Sequence, residues 1–232
     1  MTKTAIIVGA GTGISASFAR QLARNGYTVA LAARNTIKLA ALATETGASV
    51  HLCDAADPAS VDRLFSDLDR ALPKLDVCLF NASARAPGPI VDVDREQARN
   101  ALLISSYAGF LVAQAAAKRM LPRGAGTILL TGASASVKGY PHSAVFAMGK
   151  FALRGLAQSM ARELAPKGIH IAHFVIDGGV RSGERGRIEG PDATPDSYLD
   201  PDAIAQSYMH VVNQPRSAWT WEVELRPWVE RF

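Results

Sequence analysis

The 232 residues are 48% hydrophobic and 20% charged, with a formal net charge of +4: the balance of an ordinary globular protein, long enough for one large α/β domain with a sizeable core. No basic run reaches five residues, which argues against nucleic acid as the main partner. Two cysteines, Cys53 and Cys78, make neither a disulfide framework nor a metal motif, so buried reduced thiols and no metal site are expected.

The chain enters a strand pattern at once, TAIIV (4–8), with no secretory h-region, and a cytoplasmic location is expected. Further short β-branched runs follow as TVALA (28–32), SVHLC (49–53), VCLF (77–80), GTILL (126–130) and IHIAHFV (169–175), and WEVEL (221–225) is read as a last edge strand. Amphipathic patterns between them predict helices near 13–25, 36–45, 58–71, 94–120, 143–164 and 201–213. Strand and helix in alternation predict a single doubly wound parallel sheet, a Rossmann-type domain over residues 1–232. Asn25 and Gly26 read as a helix C-terminus, and Asp57-Pro58 as a capped helix start.

The helix at 94–120 is apolar on nearly every side between 101 and 117 but short of a membrane span, so no membrane is expected. One face suits the sheet and the other a second subunit, which predicts a homodimer or homotetramer; burial in a monomer is the alternative. Residues 177–202, rich in Gly, Pro and charge, read as one long irregular loop, a substrate lid or a disordered segment. The tail from 217 holds three tryptophans, read as structural packing or a dimer contact.

The most informative short stretch is VGAGTGIS (8–15), between the first strand and the first helix. Gly9, Gly11 and Gly13, with Thr12 and Ile14, form a tight turn into a helix whose free N–H groups and dipole suit a pyrophosphate. After the second strand, AARN carries Arg34 and no acidic residue. A guanidinium suits a 2′-phosphate, so NADP(H) is favoured over NAD(H).

These segments resemble, in order, those of the short-chain dehydrogenase/reductase family. Gly9 and Gly13 match its G-x-x-x-G-x-G, with Ser15 at the last glycine; Asp54, beside Ala55, resembles the aspartate that meets the adenine; Asn81 and Ala82 resemble its N-A-G, with Ser83 as the third residue. DGGVRS is similar to the family's P-G-x-V-x-T, through Gly178, Val180 and Ser182, with Asp177 at the proline. The resemblance implies a dinucleotide-dependent oxidoreductase acting on a small molecule, with a Tyr-x-x-x-Lys pair, a serine about thirteen positions earlier and an asparagine on the preceding long helix. Lys150 matches the lysine, which would also bind the cofactor ribose, whereas Phe146 stands at the tyrosine position. Ala133 stands at the serine, with Ser134 and Ser136 close by, and Ser105 at the asparagine. Phenylalanine donates no proton at any pH, so the missing acid is sought in water or in a loop residue such as His142 or Tyr140. Three readings stay open: an oxidoreductase with a displaced acid, a catalytically inactive NADP(H)-binding protein acting as sensor or partner subunit, and a structural scaffold.

Overall fold

The structure, a computed structural model, describes residues 2–190 and 194–230. Seven strands, β1 (Lys3–Val8), β2 (Tyr27–Ala33), β3 (Ser49–Leu52), β4 (Val77–Phe80), β5 (Gly126–Thr131), β6 (Ile169–Ile176) and β7 (Glu222–Leu225), form one sheet in the order β3-β2-β1-β4-β5-β6-β7. Every neighbouring pair is parallel, with β7 at the edge as the sequence predicts. The crossovers are α1 (Ile14–Arg24), α2 (Ala40–Thr46), α3 (Pro58–Ala71), α4 (Arg95–Leu102), α5 (Ala108–Met120), α6 (Ala144–Leu164) and α7 (Pro201–Val212).

Alternation along the strands divides the core. Ile6, Val8, Cys78, Phe80, Ile128 and Leu130 face α3, α5 and α6, while Ala5, Ile7, Leu79, Leu129 and Phe174 face α1 and α7. Tyr208 of α7 is fully buried on the second face, edge-on to Phe18 at 5.3 Å and Phe174 at 4.2 Å. Its hydroxyl meets Thr131 Oγ1 at 2.9 Å, which spares a buried polar group the cost of desolvation. Both thiols are buried, and desolvation pushes that of Cys78 up to about 12, an inert side chain.

The local signals act as read. Asp57 caps α3 by accepting from Ala59 N and Ser60 N, with Pro58 in the first turn. Asn25 ends α1, and Gly26 follows at φ +77°. The helix expected over 94–120 is present as one continuous helical run, α4 passing into α5 through a π-helical turn, Leu103–Tyr107. In that turn Ser105 Oγ accepts from Ala84 N (3.0 Å) and donates to Ala84 O (3.1 Å), tying the helix to the segment after β4. The helical run Arg95–Arg123 has the length and composition to cross a membrane, and half of its apolar window is buried. Packing of α5 on the sheet accounts for the buried half.

The loop expected over 177–202 is partly folded; its residues 191–193 lie outside the described residues. Val180 bridges Leu199, Ser182 bridges Arg187, and Leu199 N donates to Gly179 O, so the segment doubles back on itself above the C-terminal end of β6. Of the three tryptophans, Trp219 stacks on His170 with ring centres 4.6 Å apart, Trp221 lies under Arg154, and Trp228 is exposed.

Candidate active site

Strand order reverses between β1 and β4, and a parallel sheet opens a crevice at such a point beyond its C-terminal edge. A cavity of about 800 Å³ lies there. Its floor begins at Gly9, where φ is +82° and an added Cβ would lie 2.3 Å from Ala82 N; only glycine lets the β1 turn and the end of β4 approach so closely. Added Cβ atoms on Gly11 and Gly13 would meet nothing within 4 Å, so the space over the turn is open. Gly13 caps α1 without a side-chain hydrogen bond, so no side chain occupies the first-turn N–H groups beside that space. Ser15, buried, locks the turn: its hydroxyl donates to Gly9 O (3.2 Å) and accepts from Asn81 Nδ2 (2.7 Å). An open cradle of N–H donors with no acid in the first turn fits a dinucleotide pyrophosphate.

Every cofactor-binding residue named from the sequence lines this cavity, as do Ser134, Phe146 and Lys150. Arg34 is exposed at the end of β2, with Asn35 and Lys38 beside it and no carboxylate between them. Asp54 lies past β3, where its carboxylate accepts from Ala56 N at 3.0 Å. Ser105 and His142 do not line the cavity. The Ser105 hydroxyl is engaged by Ala84; His142 is exposed at φ +60°, and its carbonyl accepts from Gly88 N at 3.0 Å. Ser134 faces the cavity, whereas Ser136 is fully buried and accepts from Ala133 N.

Phe146 and Lys150 sit one turn apart on α6 and share a face. Lys150 is 3% exposed and donates to Thr131 O at 2.7 Å. Burial, and secondarily the charge of Arg85, brings its ammonium down to about 7. Phe146 carries a cation near its ring: the Arg85 guanidinium carbon lies 4.0 Å from the ring centre, and Lys150 Nζ is 5.9 Å away.

Two charged clusters brace the cavity from behind. Asp177, almost wholly buried, pairs with Lys138 (3.2 Å) and Arg226 (3.3 Å), which anchors the start of the 177–202 segment to β7 and to the loop before α6. His173 is completely buried, and its Nδ1 meets Glu222 Oε2 at 3.0 Å, while Arg154 grips the same carboxylate with bonds of 2.7 and 2.8 Å. Desolvation holds His173 down to about 4, so it is neutral near pH 7 and its Nδ1–H donates to Glu222. Sequence reasoning missed Arg85, the ion pairs of Asp177 and this second cluster. Arg85 stands two residues past the Asn81–Ser83 segment, and nothing in the local pattern separates it from a surface arginine.

The chain resembles known proteins both in sequence and in fold. Residues 9–200 match the family model described as enoyl-(acyl carrier protein) reductase. The chain is 31% identical over 192 residues to L-2,3-butanediol dehydrogenase of Corynebacterium glutamicum, covering 79% of this chain and 74% of that one. A short-chain dehydrogenase from Rhodopseudomonas palustris superposes with a TM-score of 0.83 at 37% identity, over 97% of this chain and 99% of that one. An alcohol dehydrogenase from Thermococcus sibiricus, complexed with 5-hydroxy-NADP, gives a TM-score of 0.87 at 25% identity, over 100% and 99% of the two chains.

Proposed function

This chain belongs to the short-chain dehydrogenase/reductase family of oxidoreductases, and on that footing we propose that it moves hydride between NADP(H) and a small carbonyl or alcohol in a site where Phe146 replaces the family's tyrosine. The observation that carries the reading is the cavity, which joins an open glycine turn at a helix N-terminus to a buried lysine with a depressed pKa. The Thermococcus sibiricus relative is complexed with an NADP derivative, and Arg34 with Lys38 offers two cations and no acid where a 2′-phosphate would lie. The first-turn N–H groups of α1 would hold the pyrophosphate, Asp54 the adenine end, and Lys150 the nicotinamide ribose. The cofactor supplies hydride when bound.

The protein's own part is to orient the carbonyl and deliver a proton. The Ser134 hydroxyl can donate to the carbonyl oxygen. Phe146 closes the site with an apolar face. Lys150, with its pKa about 7, is suited to yield a proton to the new alkoxide at neutral pH. His142 lies outside the cavity lining, so the proton is not assigned to it. The absence of a hydroxyl at Phe146 also favours a second reading, a protein that binds NADP(H) and turns nothing over. Titration of NADPH and NADH by nucleotide fluorescence, followed by a carbonyl screen for NADPH consumption, separates the two. The oxidoreductase reading expects turnover in the wild type; tight binding with turnover only in Phe146→Tyr selects the second. Arg34→Glu should weaken NADPH by about 10- to 100-fold while NADH changes little. Equal loss for both nucleotides would refute the assigned preference.

We also propose a homodimer or homotetramer. Tyr107 at the end of the π turn and Phe110 on α5, and Met148 and Phe151 on neighbouring α6, are all exposed and apolar, a combination that suits burial against a second copy.

A further inference from the structure

We infer that Lys150 is a nucleophile as well as a binding group: in the nucleotide-free protein the cavity captures an aldehyde or ketone covalently, as an imine on Lys150 Nζ. This goes beyond hydride transfer and does not depend on it.

The geometry is that of an amine set in the wall of an open cavity. Lys150 lines the cavity of about 800 Å³ yet is shielded from bulk water. Among the described residues, its hydrogen-bond acceptor is the Thr131 carbonyl at 2.7 Å. A carbonyl accepts an N–H from an amine as well as from an ammonium, so this bond orients Nζ without requiring a charge on it. One turn earlier on α6, the buried Phe146 ring lies 5.9 Å from Nζ and brings no hydroxyl that could occupy the amine.

The charges around Lys150 favour the amine. Burial, then the cation of Arg85, brings it to about 7, and no carboxylate is among the groups that act on it. On α6 itself, Arg154 is tied to Glu222 of β7. From β6, His173 is neutral near pH 7, and Lys150 is one of the charges that keep it so. Arg95, Glu96 and Arg99 of α4 and Lys118 of α5 are exposed, and Arg119 is paired with Asp69 of α3. The Leu103–Tyr107 and Ser134–Ser136 turns bring hydroxyls and no charge. At pH 7 roughly half of the Lys150 side chains are neutral, against roughly one in 3,000 of ordinary lysines at 10.5. A desolvated lysine beside a second cation is the setting in which an amine attacks a carbonyl.

The Nζ lone pair bonds to the carbonyl carbon while the C=O π pair moves onto oxygen. One N–H proton passes to that oxygen, giving a carbinolamine. The C–O bond then breaks, a second N–H proton leaves with the oxygen as water, and the C=N bond forms. The Ser134 hydroxyl, on the same cavity, can pass protons to the departing oxygen. Neither an oxidant nor a reductant takes part, and water reverses the capture.

The test uses the full chain without nucleotide and two probes. Propanal with cyanoborohydride reduces any imine to a stable propyl-lysine, which peptide mass spectrometry locates. Pentane-2,4-dione gives an enaminone whose near-ultraviolet band reports the rate. At pH 7, Lys150 should be labelled at least about 100-fold faster than exposed Lys38 or Lys118. The enaminone rate should rise up to about pH 7 and level off, whereas an ordinary lysine keeps gaining towards 10.5. Lys150→Met and Lys150→Arg, the second of which keeps the cation, should both lose the band; the labelling pattern of the wild type decides the matter should either variant misfold. Propyl groups on exposed lysines with Lys150 unmodified would overturn the inference. So would an equal band in wild type and a folded Lys150→Met, or a rate still climbing at pH 10. Capture at Lys150 in a protein that binds no NADPH would uphold this inference and remove the hydride-transfer reading.

Discussion

Replacing Lys150 with methionine tests the electrostatics of the cavity floor without any ligand. The ammonium is 3% exposed, its acceptor is Thr131 O, and burial brings it from 10.5 to about 7. The folded-state pKa lies below the unfolded one, so the cost of folding with this lysine is absent above 10.5, grows as pH falls, and levels off below about 7. Linkage puts that cost at about 4 kcal/mol at pH 7 and under about 1 kcal/mol at pH 10. Methionine is of similar length and removes the charge, but it forfeits the bond to Thr131 and leaves that carbonyl without its donor, a loss of about 1–3 kcal/mol. The variant should therefore be more stable than wild type by about 1–3 kcal/mol at pH 7, and less stable at pH 10. Urea unfolding of the two proteins across this range gives the difference directly, since every other titrating group cancels. A Met variant that is destabilised equally at both pH values would show that the ammonium is not desolvated, and the argument would fail.

Three other outcomes are expected. Gly9→Ala places a Cβ 2.3 Å from the Ala82 backbone at φ +82°, and should lower stability by more than about 1–2 kcal/mol and abolish NADPH binding; a variant that binds normally would contradict the proposed cradle. His173 has its pKa held down to about 4, so its contribution is intact above about 6.5 and is lost as pH falls towards 4, at about 3 kcal/mol. His173→Phe should flatten stability over that interval, and an unchanged acid limb in chemical denaturation would count against the assignment. Phe151→Glu, at an exposed position on α6, should shift the protein to monomer in light scattering while leaving helix content unchanged, and an unaltered mass would dismiss α6 as the subunit contact.

Much of the architecture was legible because its causes are local. The short β-branched runs TAIIV and VCLF, the Asp57-Pro58 start and the Asn25-Gly26 stop are written in neighbouring residues, and they act as read. The glycine turn was legible for the same reason, since VGAGTGIS lies between a strand and the helix it opens. The π turn at Leu103–Tyr107 escaped that reading, because it depends on Ser105 meeting Ala84, 21 positions away. Ser134 reached the cavity and His142 did not, a difference that turns on how the loop before α6 folds rather than on residue type.

By itself, then, the sequence determined the alternation of strands and helices, the glycine turn and the cationic end of β2, since each depends on contacts within one turn or one strand. Tertiary structure alone decided that Arg85 lies over Phe146, that Asp177 is clamped by Lys138 and Arg226, and that His173 meets Glu222 across 49 residues. It also set the charge of Lys150. A pKa is fixed by how much water and how many charges surround a group, and only packing of the sheet against α6 specifies those.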